Sequence, residues 1–265
     1  METGSPDTTL AAEQSGTSGT RGFENAFALA RDVEGWLTEA QARRLWDAAR
    51  RVSAPGRIVE IGSFRGRSMI VLASAAAEGV ELIAIDPHGG GDRGPQEIAP
   101  DAERGNEDFV AFHENLRRAG VEERVRHVRL MSDQALDSVD GAVQMLFVDG
   151  AHRYGPARSD IAQWGERVAQ GGAMLIHDSF NAVGVTLAQL RLLLLSSRWR
   201  YLGRRGSLAE YRCERLGGAA VVRNALRQLA AMPYFVRNGI VKVLLVARLR
   251  PLTRLLGHRD GPWPY

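Results

Sequence analysis

Three side chains in the middle of the chain, Asp149, His152 and Asp178, are the first candidates for chemistry. Asp149 closes the apolar run VQMLFVD and Asp178 closes AMLIHD, and each run has the length and composition of a buried strand. If the two strands are neighbours in a parallel sheet, their carboxyl ends lie about 4.8 Å apart. Both carboxylates then face one crevice. Two such acids with no cysteine beside them are hard oxygen donors, suited to Mg2+ or another divalent cation held with waters and substrate oxygens. Without a cation, the same acids pair with arginines or bind substrate hydroxyls. His152 follows Asp149 on the loop above the sheet. An imidazole with its ordinary pKa of about 6.5 suits a base at neutral pH. The alternative is a cap on the helix that starts near Pro156.

A second group lies upstream, in VEIGSFRGRS, which joins a strand to a helix through Gly62 and Gly66. Glycines there let the backbone approach a ligand. Their spacing, Gly-x-x-x-Gly, is not the Gly-x-Gly-x-x-Gly that cradles a pyrophosphate. Glu60, at the strand end, would repel a pyrophosphate and suits a cationic ligand head. Asp86 closes the next strand-like run, ELIAID, where an acid typically accepts hydrogen bonds from ribose hydroxyls. Its alternative role is a turn cap before Pro87. Valine at position 62 is expected to block the ligand while leaving the fold intact. Tyr154 and Asp160 read as local scaffold, with Asp160 inside a helix and within reach of an arginine.

The elements that must position these residues alternate. Strands are expected at 57–61, 81–86, 124–130, 143–149 and 173–178, and helices at 67–78, 109–119, 156–170 and 183–196. A helix at 38–51 precedes them, with Thr38 as its cap and Gln41 at the capping-box position. WRYLG and SLAEYRC read as a closing hairpin. The pattern is α/β: a doubly wound, Rossmann-like, mostly parallel sheet with a terminal antiparallel hairpin. The loop at 88–105 is long and glycine-rich enough for a lid or binding loop. Arg93, Gln96 and Glu97 within it are candidate acceptor contacts.

Composition bounds the rest. The 265 residues are 45% hydrophobic and 25% charged, which permits a full core and excludes wholesale disorder. Residues 1–22 are Ser/Thr/Gly-rich and read as a disordered tail, 23–213 as the domain, and 214–265 as a basic amphipathic appendage. From Arg215 onward there are nine basic residues and one acid, so the tail carries +8 and the remainder −5. Such a tail reads as an interfacial membrane helix, a partner-binding helix, or a segment packed on its own domain; Pro233 and Pro251 divide it. No unbroken apolar run reaches the roughly 18 residues of a spanning helix. No secretory leader and no nucleic-acid-binding module are read, and the single Cys213 excludes an internal disulfide or a cysteine metal cage. The expected setting is the reducing cytoplasm, with peripheral contact at the inner membrane surface through the tail.

Glu60-x-Gly62-x-x-x-Gly66-x-Ser68, then Asp86, then DGAHRY and GGAMLIHD, together resemble a class I S-adenosylmethionine-dependent methyltransferase. More narrowly they resemble the group that includes macrocin O-methyltransferase and cephalosporin-hydroxylase-like proteins. The resemblance spans about residues 57–212. It implies a seven-stranded sheet ending in an antiparallel hairpin. It also implies Glu60 and the glycine loop, including Ser63 and Ser68, near the methionine part of S-adenosylmethionine, Asp86 on the ribose, and Ser132 and Asp133 at the adenine. His152 is implied as the group that removes a hydroxyl proton, with Asp149 and Asp178 holding a divalent cation. Metal-dependent relatives place Asn after, or Glu before, the acid at the Asp178 position; here the neighbours are His177 and Ser179, one strong oxygen ligand fewer. The implied activity is O-methyl transfer to a hydroxyl of a small molecule or glycan. Two alternatives stand beside it: a cofactor-binding regulatory or scaffold protein without turnover, and an NAD-dependent oxidoreductase.

Overall fold

The computed structural model describes residues 22–91 and 99–258. Arg93, Gln96 and Glu97, and all but the last residue of the 1–22 tail, lie outside the described residues. Residues 22–30 form α1. Thr38 then caps α2 (Glu39–Ala49), and its capping box with Gln41 is formed in both directions. The alternating region follows as β1 (Arg57–Ile61), α3 (Arg67–Ala75), β2 (Glu81–Ile85), α4 (Ala102–Arg118), β3 (Val125–Val128), β4 (Val143–Val148), α5 (Tyr154–Glu166), β5 (Val168–Ile176) and α6 (Val183–Leu193). The hairpin β6 (Trp199–Arg205) and β7 (Leu208–Cys213) closes the sheet, and α7 (Gly218–Leu229), α8 (Met232–Val246) and α9 (Arg250–Thr253) complete the described chain.

The seven strands lie in the order β3-β2-β1-β4-β5-β7-β6. The first five are parallel, and β7 runs antiparallel between β5 and β6. The register fixes the site. Ile61 pairs with Ile85 and Val148, and Val148 pairs with Ile176, so four strands end level. Backbone bonds carry the ladder one residue further, from Gly62 to Ile85, from Asp149 to Ile61 and from His177 to Val148. Strand order reverses at β1, which opens a crevice above its carboxyl end.

Side chains alternate across the sheet. Ile58, Met145 and Phe147 join α2, α3 and α4 in one core. Val59, Ile61, Leu146 and Val148 join α5 and α6 in the other. Glu60 shares the parity of Ile58, so the pleat aims it under α3, where Ser68 donates to it.

Several boundaries differ from the sequence expectation. The helix expected at 109–119 begins at Ala102, because Asp101 accepts the Arg104 N–H as its cap. The glycine-rich segment is therefore shorter and is pinned to α4: a Cβ at Gly90 would lie 2.1 Å from Asp101 O, and one at Gly105 2.0 Å from His88 O. β5 begins at Val168 where helix was expected to run to 170, and its pairing with β4 shifts between Val143 and Met145. The glycines at 171 and 172 lie on the β5 side of that irregularity, which hid the strand's beginning from a periodicity reading.

The C-terminal helices are bonded to the sheet and to the site. Asn224 accepts the Tyr201 N–H and donates to Trp199 O, closing the β6 edge. Gln228 accepts the Tyr211 hydroxyl. Asn238 and Lys242 of α8 both donate to Asn181, just beyond the end of β5. Counted as one stretch, Gly218–Val246 is long and apolar enough to cross a membrane. A search for unbroken apolar runs missed it because arginines and Lys242 interrupt it.

Gly62 sits at φ +84, and an added Cβ would lie 2.2 Å from Asp149 O. The expectation that valine at 62 spares the fold is corrected: the side chain would part β1 from β4. Gly62→Ala should lower unfolding stability by about 3 kcal/mol, measured by urea denaturation.

Candidate active site

A cavity of about 310 Å³ lies over the carboxyl ends of the central strands. Gly62, Asp86, Ser132, Asp149, His152 and Asp178 all line it. Six of the sequence-selected residues thus meet in one place. Glu60, Ser63, Gly66, Ser68 and Asp133 are not among the residues that line it. Gly66 instead shapes the turn into α3, with φ +88. Ser68 donates to Glu60 beneath that turn. Asp133 is exposed.

At one end of the cavity, Asp86 holds both loops. Its Oδ2 accepts the Phe64 N–H at 2.8 Å and its Oδ1 the His88 N–H at 2.7 Å. Each oxygen keeps a further lone pair for a hydroxyl. Beyond it stands Asp160, which the sequence reading left as scaffold. Asp160 lines the cavity and is almost fully buried. Its Oδ1 accepts the Ser132 hydroxyl, and its Oδ2 faces Gly150, where an added Cβ would come within 3.1 Å. Burial pushes its carboxyl up to about 6, against the Ser132 bond. The only sequence signal was its spacing: it lies on the second turn of α5, directly after the 149–152 loop.

At the other end, four ionisable side chains interlock. His152 Nε2 lies 2.8 Å from Asp178 Oδ2. His177 Nδ1 lies 3.0 Å from Asp149 Oδ1 and 3.5 Å from Asp178 Oδ2. Asn181 donates to Asp178 Oδ1 at 2.8 Å. The backbone of Asp178 is left-handed, φ +52, which turns the carboxylate back over the sheet. Burial would raise the Asp178 carboxyl, but His177 and His152 hold it well below the usual carboxylate range. Burial lowers His152, and the Asp178 carboxylate more than offsets this, so its pKa is raised.

His177 and Gln41 are functional candidates the sequence did not offer. Gln41 is fully buried. Its Oε1 accepts the Thr38 N–H, which orients the amide. Its Nε2 then donates to Ser207 Oγ at 3.0 Å and faces His177 Nε2 at 3.3 Å. That assigns His177 the tautomer with its proton on Nδ1, towards the two carboxylates. Burial opposes a charge on His177, but the two carboxylates still raise its pKa.

Asp149, His152 and Asp178 bring one donor atom each within 4.8 Å of one another. Two oxygens and one imidazole nitrogen fit a divalent cation in type and number. Each carboxylate already has an imidazole partner, where arginines or substrate hydroxyls were expected in the absence of a cation.

Residues 59–179 match the family model described as a methyltransferase domain. An uncharacterised protein of Sinorhizobium fredii is 30% identical over 132 residues, 47% of this chain; the match spans only 13% of that protein's length. Among solved structures, the chain is similar to the Podospora anserina methyltransferase PaMTH1 bound to SAH, at 14% identity and a TM-score of 0.52 over 81% of this chain and 100% of that one. It is also similar to the O-methyltransferase TomG of Streptomyces achromogenes, involved in tomaymycin synthesis and solved with SAM, at 19% identity and a TM-score of 0.51 over 73% and 89%. The chain shares the fold of these solved methyltransferases.

Glu60 yields a prediction of its own. Burial, with Asp149 and Asp86 nearby, raises its carboxyl to about 8 despite the Ser68 bond, and its Oε2 has no partner. The unfolded chain ionises Glu60 from about 4.5 upward while the folded chain keeps it neutral. The folded state then holds the extra proton, so stability falls as pH rises through that window, by about 1.4 kcal/mol per unit. Urea unfolding from pH 5 to pH 8 should show this decline in the wild type, and Glu60→Gln should remove this component of it.

Proposed function

We propose that this protein transfers a methyl group from S-adenosylmethionine to a hydroxyl oxygen of a small molecule or glycan. The observation that carries the reading is the His152–Asp178 pair, 2.8 Å apart at the wall of a cavity over the strand ends. S-adenosylmethionine supplies an electrophilic methyl carbon, so the protein has to position the acceptor and remove its proton. Asp86 offers oxygens to the ribose hydroxyls. Asp160 Oδ2, with Ser132 beside it, offers an acceptor to the adenine amino group. The backbone at Gly62 leaves room for the methionine part. His152 directs Nε2–H at Asp178, which leaves Nδ1 to take the hydroxyl proton; Asp178 stabilises the imidazolium that forms. Gln41 and His177 hold the two carboxylates in place behind it. The buried, unpaired Cys213 is compatible with a reducing cytoplasm.

Titration calorimetry with S-adenosylhomocysteine and with NAD separates this reading from the oxidoreductase one: only the first should bind. NAD binding in its place would overturn the proposal. With S-adenosylmethionine and a panel of phenolic and sugar hydroxyls, mass spectrometry should find a product heavier by one methyl group. Absence of product across the panel, with cofactor binding intact, would favour the regulatory alternative. For any acceptor that is methylated, His152→Ala should lower turnover by about 10²–10⁴-fold at neutral pH. The loss should shrink as pH rises and the acceptor ionises unaided. Wild-type turnover in that variant would place the base elsewhere.

The clustering of Asp149, His152 and Asp178 supports a second reading, in which they hold Mg2+ or Mn2+ and the cation lowers the pKa of the acceptor hydroxyl. EDTA should leave turnover unchanged if the imidazoles suffice. A loss with EDTA that Mg2+ restores would establish the metal.

A further inference from the structure

The C-terminal helices are amphipathic in the reverse sense to an ordinary surface helix. Their buried positions include Asn224, Gln228 and Asn238, which hydrogen-bond to the body. Their exposed positions include a run of large apolar side chains. Val222, Leu226 and Leu229 form a stripe along α7, and Val236, Ile240 and Val243 repeat the same spacing along α8. The stripe continues through Val246, 74% exposed, to Leu255, 83% exposed. An apolar face of this extent on described residues calls for a partner.

Charge chooses the partner. Between Arg215 and His258 there are eight basic residues and no acid. Arg223, Arg227, Arg248 and Arg250 are exposed around the apolar stripe. A second copy meeting this face by two-fold symmetry would set arginines against arginines. An anionic lipid surface satisfies both features at once, taking the leucines into the acyl boundary and the arginines at the headgroups. Spanning is disfavoured by the contacts on the other side. Asn224, Gln228, Asn238 and Lys242 tie α7 and α8 to the sheet edge and to Asn181, and these bonds would have to break for the segment to cross.

We propose that the outward faces of α7, α8 and residues 249–255 dock the protein on an anionic lipid bilayer, lying in the interface plane. The docked helices are the ones that hold Asn181, whose side chain donates to Asp178. The lipid-bound protein therefore keeps its candidate site directly behind the membrane-facing layer. Truncating the tail would remove those contacts together with the surface, so point substitutions are the cleaner probe.

Co-sedimentation with vesicles of phosphatidylcholine, alone or mixed with an equal part of phosphatidylglycerol, tests this on the full chain. The wild type should bind the mixed vesicles, bind phosphatidylcholine alone much more weakly, and lose binding as salt rises. Leu226→Asp with Val243→Asp should cut partitioning at least about tenfold, as should Arg227→Glu with Arg250→Glu. All four positions are exposed, so melting temperature should be unchanged. Equal binding of wild type and both double variants would overturn the proposal, as would no binding by the wild type. A dimer in light scattering that Val243→Asp dissolves, with no lipid binding, would assign the face to a second copy.

Discussion

Two carboxylates at adjacent strand ends set the terms for this structure. Asp178 is buried, and Asp149 lies beside it at the end of the neighbouring strand. An uncompensated buried carboxylate costs several kcal/mol. The compensation comes from elements scattered along the chain. His152 comes from the loop after β4, His177 from the end of β5, and Asn181 from the turn before α6. Those groups are held in turn. Gln41 reaches His177 from the first turn of α2, Ser207 anchors Gln41 from the β6–β7 turn, and α8 holds Asn181. A capping box at the start of α2 is thus continuous, through one amide, with the candidate catalytic acids. The left-handed backbone at Asp178 and Phe180 persists because these neighbours over-determine it.

The positions of the central strands were legible because β-branched runs ending in Gly or Asp carry a strong local signal. β1 ends where its sequence breaks, at Gly62, and Asp86 and Asp149 lie one residue past strand ends that the register makes level. Harder to read was direction. Glu60 looked like a loop-facing carboxylate because it is next to the loop in sequence, yet it has the parity of Ile58 and lies under α3. Strand alternation contained that answer. The His177–Gln41 contact had no such signal: it joins residues 136 positions apart. Asp160 was misplaced for a related reason. A helix hides which of its faces meets a cavity until the strand before it is placed.

The buried acids in and beneath the cavity divide by environment. Asp160 and Glu60 meet too few donors to offset burial, and both are shifted towards the neutral form. Asp178 meets two imidazoles and an amide and is held ionised. Negative charge is thereby kept at the end of the cavity where the proposed reaction would release a hydroxyl proton. At Asp160 burial makes protonation easier, with the carboxyl pushed up to about 6, and the Ser132 hydroxyl bonds one of its oxygens. Similar side chains at the two ends of the cavity are thus shifted in opposite directions because their donors differ.

The reversed amphipathicity of the C-terminal helices follows from the same accounting of polar groups. An edge strand exposes backbone donors and acceptors that must be covered, and β6 is covered by Asn224. The turn carrying Asp178 needs its Asn181 fixed, and Asn238 and Lys242 fix it. The inner faces of α7 and α8 carry these amides beside Ala225, Ala231 and Val241, and a further set of apolar residues is left on the outer faces. A helical-wheel reading of the arginines alone finds a basic face, but it cannot tell that the body takes the amides and leaves the leucines outside. What sets the outer surface of this layer is the hydrogen-bonding demand of the sheet beneath it, and the arginines around the stripe determine which apolar environment that surface can enter.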